Sequence, residues 1–178
     1  MRSLFLLKFI SVLIFTASVF GQSNNSYSFG VRMGVSDNNY GKNFSHFETD
    51  YNLASPNPIY LYKNIFFSFG LNANTGIMES GDKIGFILSA GPQISFNLSN
   101  YKTNISLSTM PTYVTREMYK DFSIGGRFHF LSRIGILYRI SEEMGIEYSF
   151  EHISNGGIVK PNPGVNFHMA GLRFYFTR

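Results

Sequence analysis

The 178-residue chain has no cysteine and no tryptophan. Without cysteine there is no disulfide framework, no thiolate metal site and no cysteine nucleophile. Charge is scarce as well: Asp, Glu, Lys and Arg make up 15% of the residues, against about 25% in an ordinary soluble domain. No basic cluster or Lys/Arg stripe is present, so the net charge of +4 implies no nucleic-acid partner. His46 and His129 stand alone in the sequence, with no clustered ligand set, so no metal centre and no cofactor is expected. Apart from the first twenty residues there is no long apolar run, and no convincing helical period. What the chain has in excess is aromatic: 19 Phe and 11 Tyr. An apolar share of 44% is that of a folded protein and excludes global disorder.

The N-terminus has its own pattern. Arg2 and Lys8 supply positive charge, Phe9 to Phe15 forms a short apolar core, and Val19 and Gly21 are small residues before Gln22. Charged start, apolar core and small-residue site together describe a secretory signal peptide over residues 1–21. The apolar stretch falls short of the roughly 20 residues that a spanning helix needs. Its removal leaves 157 residues (22–178) and a net charge of +2.

The rest alternates between apolar and polar residues and is punctuated by Gly, Asn, Ser and Pro, as strands are. Eight strands are expected: 27–36, 58–62, 65–77, 83–98, 103–113, 127–140, 144–154 and 166–176. Residues 37–55 are polar and expected to be a loop. Eight strands in one secreted domain suggest a closed, all-β, antiparallel up-and-down barrel. Most segments reach about 10 residues, the length a tilted strand needs to cross a bilayer. One parity is rich in large apolar residues and the other holds Gly, Ser, Asn, Arg and Glu, the pattern of a barrel that faces lipid outside. In the last strand Ala170, Leu172, Phe174 and Phe176 oppose Met169, Gly171, Arg173 and Tyr175. Arg139 and Arg173 are expected to pair inside with Glu147 or Glu151. Alternating long and short connections, with both termini periplasmic, fit the outer membrane of a Gram-negative-type bacterium.

The seventh segment breaks its own pattern. Met144, Ile146, Tyr148 and Phe150 share the lipid-facing parity, while Glu147 and Glu151 take the other. Period two then puts His152 and Ser154 on the lipid side. An ordinary interfacial strand end would tolerate either. A Ser hydroxyl is a poor nucleophile until a base removes its proton, and residues two apart on a strand project from the same face.

His152-Ile153-Ser154-Asn155-Gly156-Gly157, followed by Pro161-Asn162-Pro163-Gly164-Val165-Asn166, resembles the lipid A 3-O-deacylase family of acyloxyacyl hydrolase-like outer-membrane proteins. The resemblance is specific over about residues 147–176. It implies an eight-stranded outer-membrane barrel that hydrolyses an O-linked acyl chain of lipid A, with Ser154 as nucleophile and His152 as base. It further implies an oxyanion hole from the Asn155 side chain and the Gly157 N–H, although both also suit a plain turn. Where family members carry Glu, this chain has Asn166. An Asn can orient an imidazole but brings no charge; His168, on the same parity, is a second candidate or an interfacial residue. The implied partners are lipopolysaccharide and membrane lipid, with a homo-oligomer possible. Two other readings stay open: a non-catalytic structural or adhesive barrel, and a soluble barrel binding an apolar ligand in its lumen.

Overall fold

The computed structural model describes residues 27–37, 41–55, 57–63, 65–98 and 102–176. Residues 1–21, expected as a signal peptide, lie outside the described residues.

Eleven strands form in chain order: β1 (Tyr27–Ser36), β2 (Ser45–Ala54), β3 (Ile59–Tyr62), β4 (Ile65–Ser80), β5 (Lys83–Leu98), β6 (Thr103–Val114), β7 (Met118–Tyr119), β8 (Phe122–Ser123), β9 (Phe128–Arg139), β10 (Met144–Ser154) and β11 (Val165–Phe176). Eight of them close a ring. β1 pairs with β11 on one side and β2 on the other, and β2 pairs with β4. The ring continues through β5, β6, β9 and β10 back to β11. Every pairing is antiparallel, so the chain is a closed eight-stranded barrel with no free edge around the ring. Tyr27 stands opposite Phe176, which puts the first and last strands' outer limits at one end.

The second strand is not where the sequence places it. Residues 45–54, expected as loop, form β2, and the expected strand at 58–62 is only a four-residue flap paired with β4. The physical reason is plain in β2 itself: its inward residues are His46, Glu48, Asp50 and Asn52, all buried. A strand that gives its charges to the interior looks like a loop to any reading based on apolar residues. The connection pattern changes accordingly. The β4–β5 turn is just Gly81-Asp82, with Gly81 at φ 62, whereas β3 lengthens the β2–β4 connection at the termini end. The long connections, 115–127 and 155–164, lie at the opposite end and tally with the longer outer loops expected.

Parity settles the two faces. Leu71, Leu88, Leu107, Ile134, Ile146 and Leu172 are exposed on the outside. Inside, the barrel is divided. Its middle holds an ion network: Arg133 bonds Glu48 and Glu151, each at 2.6 Å; Arg32 reaches Asp50 at 2.9 Å; Arg173 bonds Glu147 at 2.8 Å and Asp50 at 2.9 Å. Buried charges of this kind are tolerable only when paired and hydrogen-bonded, and Asn72 donates to Asp50 Oδ2 and Asn74 to Glu48 Oε2. Arg173 meets Glu147 as expected, but among the described residues Arg139 pairs with no carboxylate; it stacks 3.7 Å from the Tyr175 ring centroid. Toward the long loops, Phe44, Met110, Tyr119, Ile153 and Phe167 form an apolar plug. Toward the termini a polar cavity of about 380 Å³ remains, lined by residues such as Ser28, Asn52, Asn104 and Tyr175.

Candidate active site

Strand β10 carries His152 and Ser154 at its loop end, and the register sets His152 opposite Asn166 of β11. His152 is exposed on the outer wall and Glu151 is buried behind it. Alternation alone accounts for this: one residue along a strand is the other face of the sheet.

His152 Nδ1 lies 2.7 Å from Asn166 Oδ1. A carboxamide oxygen only accepts, so Nδ1 carries the proton and donates it, which leaves the Nε2 lone pair as the basic site. Gly164, at φ +65, approaches the same ring: a Cβ there would stand 2.8 Å from His152 Cε1. Any side chain at 164 would therefore push the imidazole aside. Ser154 follows two residues along, partly exposed on the same face, opposite Phe130. Among the described residues no hydrogen bond joins Ser154 Oγ to His152. The imidazole–Asn166 contact is formed, and the Ser154 hydroxyl stands two residues along the same strand face. Catalytic hydrogen bonds commonly tighten only once substrate is bound.

Asn155 and Gly157 face a different task from the one expected. Asn155 is fully buried, and its Nδ2 donates to the carbonyls of Gly125 at 2.6 Å, Val159 at 2.7 Å and Pro161 at 3.3 Å. Its Oδ1 accepts the Gly157 N–H at 2.8 Å. Both donors are spent inside the loop in this arrangement. Asn155 staples loop 155–164 to loop 115–127, and Gly125 makes room for it: a Cβ there would sit 2.5 Å from Asn155 Nδ2. The Asn155 backbone N–H in turn donates to Asn162 Oδ1 at 3.0 Å. The Asn162 carboxamide thus lies beside the peptide bond that follows Ser154, its oxygen held and its Nδ2 left as a donor.

Outside the barrel, a groove of about 570 Å³ runs over β5, β6, β9 and β10 and ends at His152. Pro92, Ile94, Leu107, Ile134 and Phe150 line it. The β5–β6 ladder pairs Ser89 with Thr112 and again Gln93 with Ser108; Pro92 and Pro111 lie between and have no N–H to donate.

His168 shares the outer face. Its Nε2 contacts Asp37 Oδ1 at 2.8 Å and its Nδ1 accepts from the Tyr148 hydroxyl at 2.6 Å. The sequence offered His168 by parity, but Asp37 was hidden in the supposed loop. His46 is likewise not isolated: Nδ1 lies 3.5 Å from Glu151 and Nε2 3.8 Å from Glu48. These three are the group among the described residues that could offer metal donors. Arg32 and Arg133 engage the Oε1 atoms of Glu48 and Glu151, while Glu151 Oε2 and both ring nitrogens of His46 are buried without a hydrogen-bond partner.

A family model described as lipid A 3-O-deacylase (PagL) matches residues 21–175. Among solved structures, the outer-membrane enzyme PagL aligns with a TM-score of 0.71 at 13% identity, covering 82% of this chain and 97% of that one. The N-terminal β-barrel domain of Pseudomonas aeruginosa OprF aligns at 0.59 with 14% identity, covering 87% and 100%. Neisserial surface protein A aligns at 0.53 with 9% identity, covering 86% and 98%. No curated protein matches the chain in sequence.

Proposed function

The chain belongs to the lipid A 3-O-deacylase family, and from that premise we propose that it removes an O-linked 3-hydroxyacyl chain from lipid A by a Ser-His mechanism. It is a barrel of the Gram-negative outer membrane, with the termini end in the periplasm and loops 115–127 and 155–164 at the cell surface.

The observation that carries the reading is the His152–Asn166 bond of 2.7 Å on the lipid-facing wall. The ester of an outer-leaflet lipid sits at the headgroup boundary, level with the loop end of β10. Its acyl chain takes the apolar groove that ends at His152. His152 Nε2 removes the Ser154 proton as Oγ attacks the ester carbonyl. The tetrahedral intermediate collapses, and His152 returns the proton to the leaving sugar alkoxide. Water, activated by the same nitrogen, then releases the fatty acid and restores Ser154. Asn155 and Gly157 enter as oxyanion donors only if the loop opens. With the loop as it stands, the Asn162 carboxamide, whose oxygen accepts the N–H that follows Ser154, is the candidate to take their place.

Mass spectrometry of lipid A from a host expressing the protein tests this. Loss of one hydroxyacyl chain with the wild type and not with Ser154→Ala is the expected result. An intact acylation pattern with a folded, heat-modifiable wild type would leave the non-catalytic barrel as the answer. Migration that does not shift with heating in detergent gels would favour a soluble form.

A further inference from the structure

The relay ends on a neutral group. Asn166 Oδ1 accepts from His152, but a carboxamide has no net charge to set against the imidazolium that forms in the reaction. A carboxylate stands one strand further along the same wall. The β1–β11 register sets Val35 opposite His168 and Ser36 opposite Phe167. One step more brings Asp37 beside Asn166, and the Asp37 N–H donates to the Asn166 carbonyl at 3.2 Å. Asp37 shares the parity of Met33 and Val35, both exposed on the outside. His168, two residues beyond Asn166, donates from Nε2 to Asp37 Oδ1 at 2.8 Å and is held from behind by Tyr148. Asn166 thus meets His152 through its side chain on one side and the Asp37 backbone on the other, while among the described residues no hydrogen bond joins its amide nitrogen to the Asp37 carboxylate. His152, Asn166, Asp37, His168 and Tyr148 thus form a polar belt across three strands of an apolar wall.

We propose that Asp37 is a positioning residue supplying, across Asn166, the negative charge that the His152 relay otherwise lacks. This rests on the Ser154–His152 reading above. β1 and β10 are two strand spacings apart, roughly 10 Å. At that separation a unit charge in a boundary of reduced dielectric still alters an imidazolium's stability by about tenfold in equilibrium terms. A surface ion pair made only to hold the rim would leave turnover untouched.

The test is steady-state deacylation by the purified full-length barrel in mixed micelles of lipid A and detergent. Asp37→Asn is expected to lower kcat about tenfold with KM unchanged, and Asp37→Glu to retain most of it. In the Asp37→Asn background, Asn166→Asp restores kcat, because the charge has only moved. Alone, Asn166→Asp gains little, since a charge is already present. Wild-type kcat in folded Asp37→Asn would overturn the proposal. So would an equal gain from Asn166→Asp with and without Asp37, and a large gain from Asn166→Asp alone decides against it even if Asp37→Asn fails to fold. Undiminished turnover in Ser154→Ala sinks the hydrolase reading and this inference with it. A dead Ser154→Ala beside an unaffected Asp37→Asn sinks the inference alone.

Discussion

Glu151 and His152 are consecutive residues on opposite sides of one wall. Glu151 is wholly buried, with Oε1 held by Arg133 at 2.6 Å and Ser149 at 3.3 Å. His152 is exposed, bonded among the described residues to Asn166 and flanked by a glycine. Inside, each charge is gripped from several directions because an unpaired ion in a dry interior is intolerable. Outside, lipid solvates the apolar neighbours and packs nothing tightly, so a polar pair can stay under-committed and therefore reactive. The inward residues of β10 build the fold; the outward ones are free to do chemistry.

Removing each neighbour in turn is the sharpest way to break that contrast. Glu151→Ala leaves Arg133 Nε buried and unpaired, with Glu48 as the remaining partner of that guanidinium, and should cost about 3 kcal/mol, read as a fall in the temperature of the heat-modifiable gel shift. His152→Ala should leave that temperature unchanged while activity falls at least about 10³-fold. Similar unfolding temperatures for the two variants would abolish the distinction between the faces. Asn155→Ala comes next. It frees three carbonyls at the top of the wall, costs about 1–3 kcal/mol and should appear as faster proteolysis of loops 115–127 and 155–164, with the ring intact. The smallest effect belongs to the rim. Lys42 bonds Asp121 and holds its exposed carboxyl below the usual carboxylate range. Any stabilisation is present at neutral pH and is lost as the pH falls through that lowered value. Because the pair is solvated, Asp121→Asn should leave thermal unfolding at pH 7 unchanged; a measurable drop would give the loop contact an unexpected weight.

The fold was legible wherever one parity stayed apolar. β5 and β10 run over the residues the alternation marks, 83–98 and 144–154. β2 was illegible because its inward positions carry His46, Glu48, Asp50 and Asn52, and its role surfaces only once partners on β4, β9 and β10 are known. At the site, period two put His152 on the outer face, and the family spacing suggested Asn166 as its neighbour; a cross-strand contact is a matter of register, which one strand's sequence does not contain. The work of Asn155 was invisible for a related reason. Its partners Gly125 and Pro161 come from two loops, and no local pattern tells a buried amide from a turn residue. Asp37 was lost with the misread segment that follows it.

Under the proposed Ser154–His152 mechanism, the outward position of His152 also fixes how substrate arrives. The lumen is blocked by the plug and the ion network, so nothing threads the barrel toward it. A glycolipid held in the same leaflet meets the imidazole sideways, by diffusion in two dimensions, without leaving the membrane. For such an encounter the governing concentration is the mole fraction of substrate among surrounding lipids. Diluting lipid A with inert lipid or detergent at constant total lipid A should therefore slow the reaction, whereas diluting the whole suspension with buffer should not.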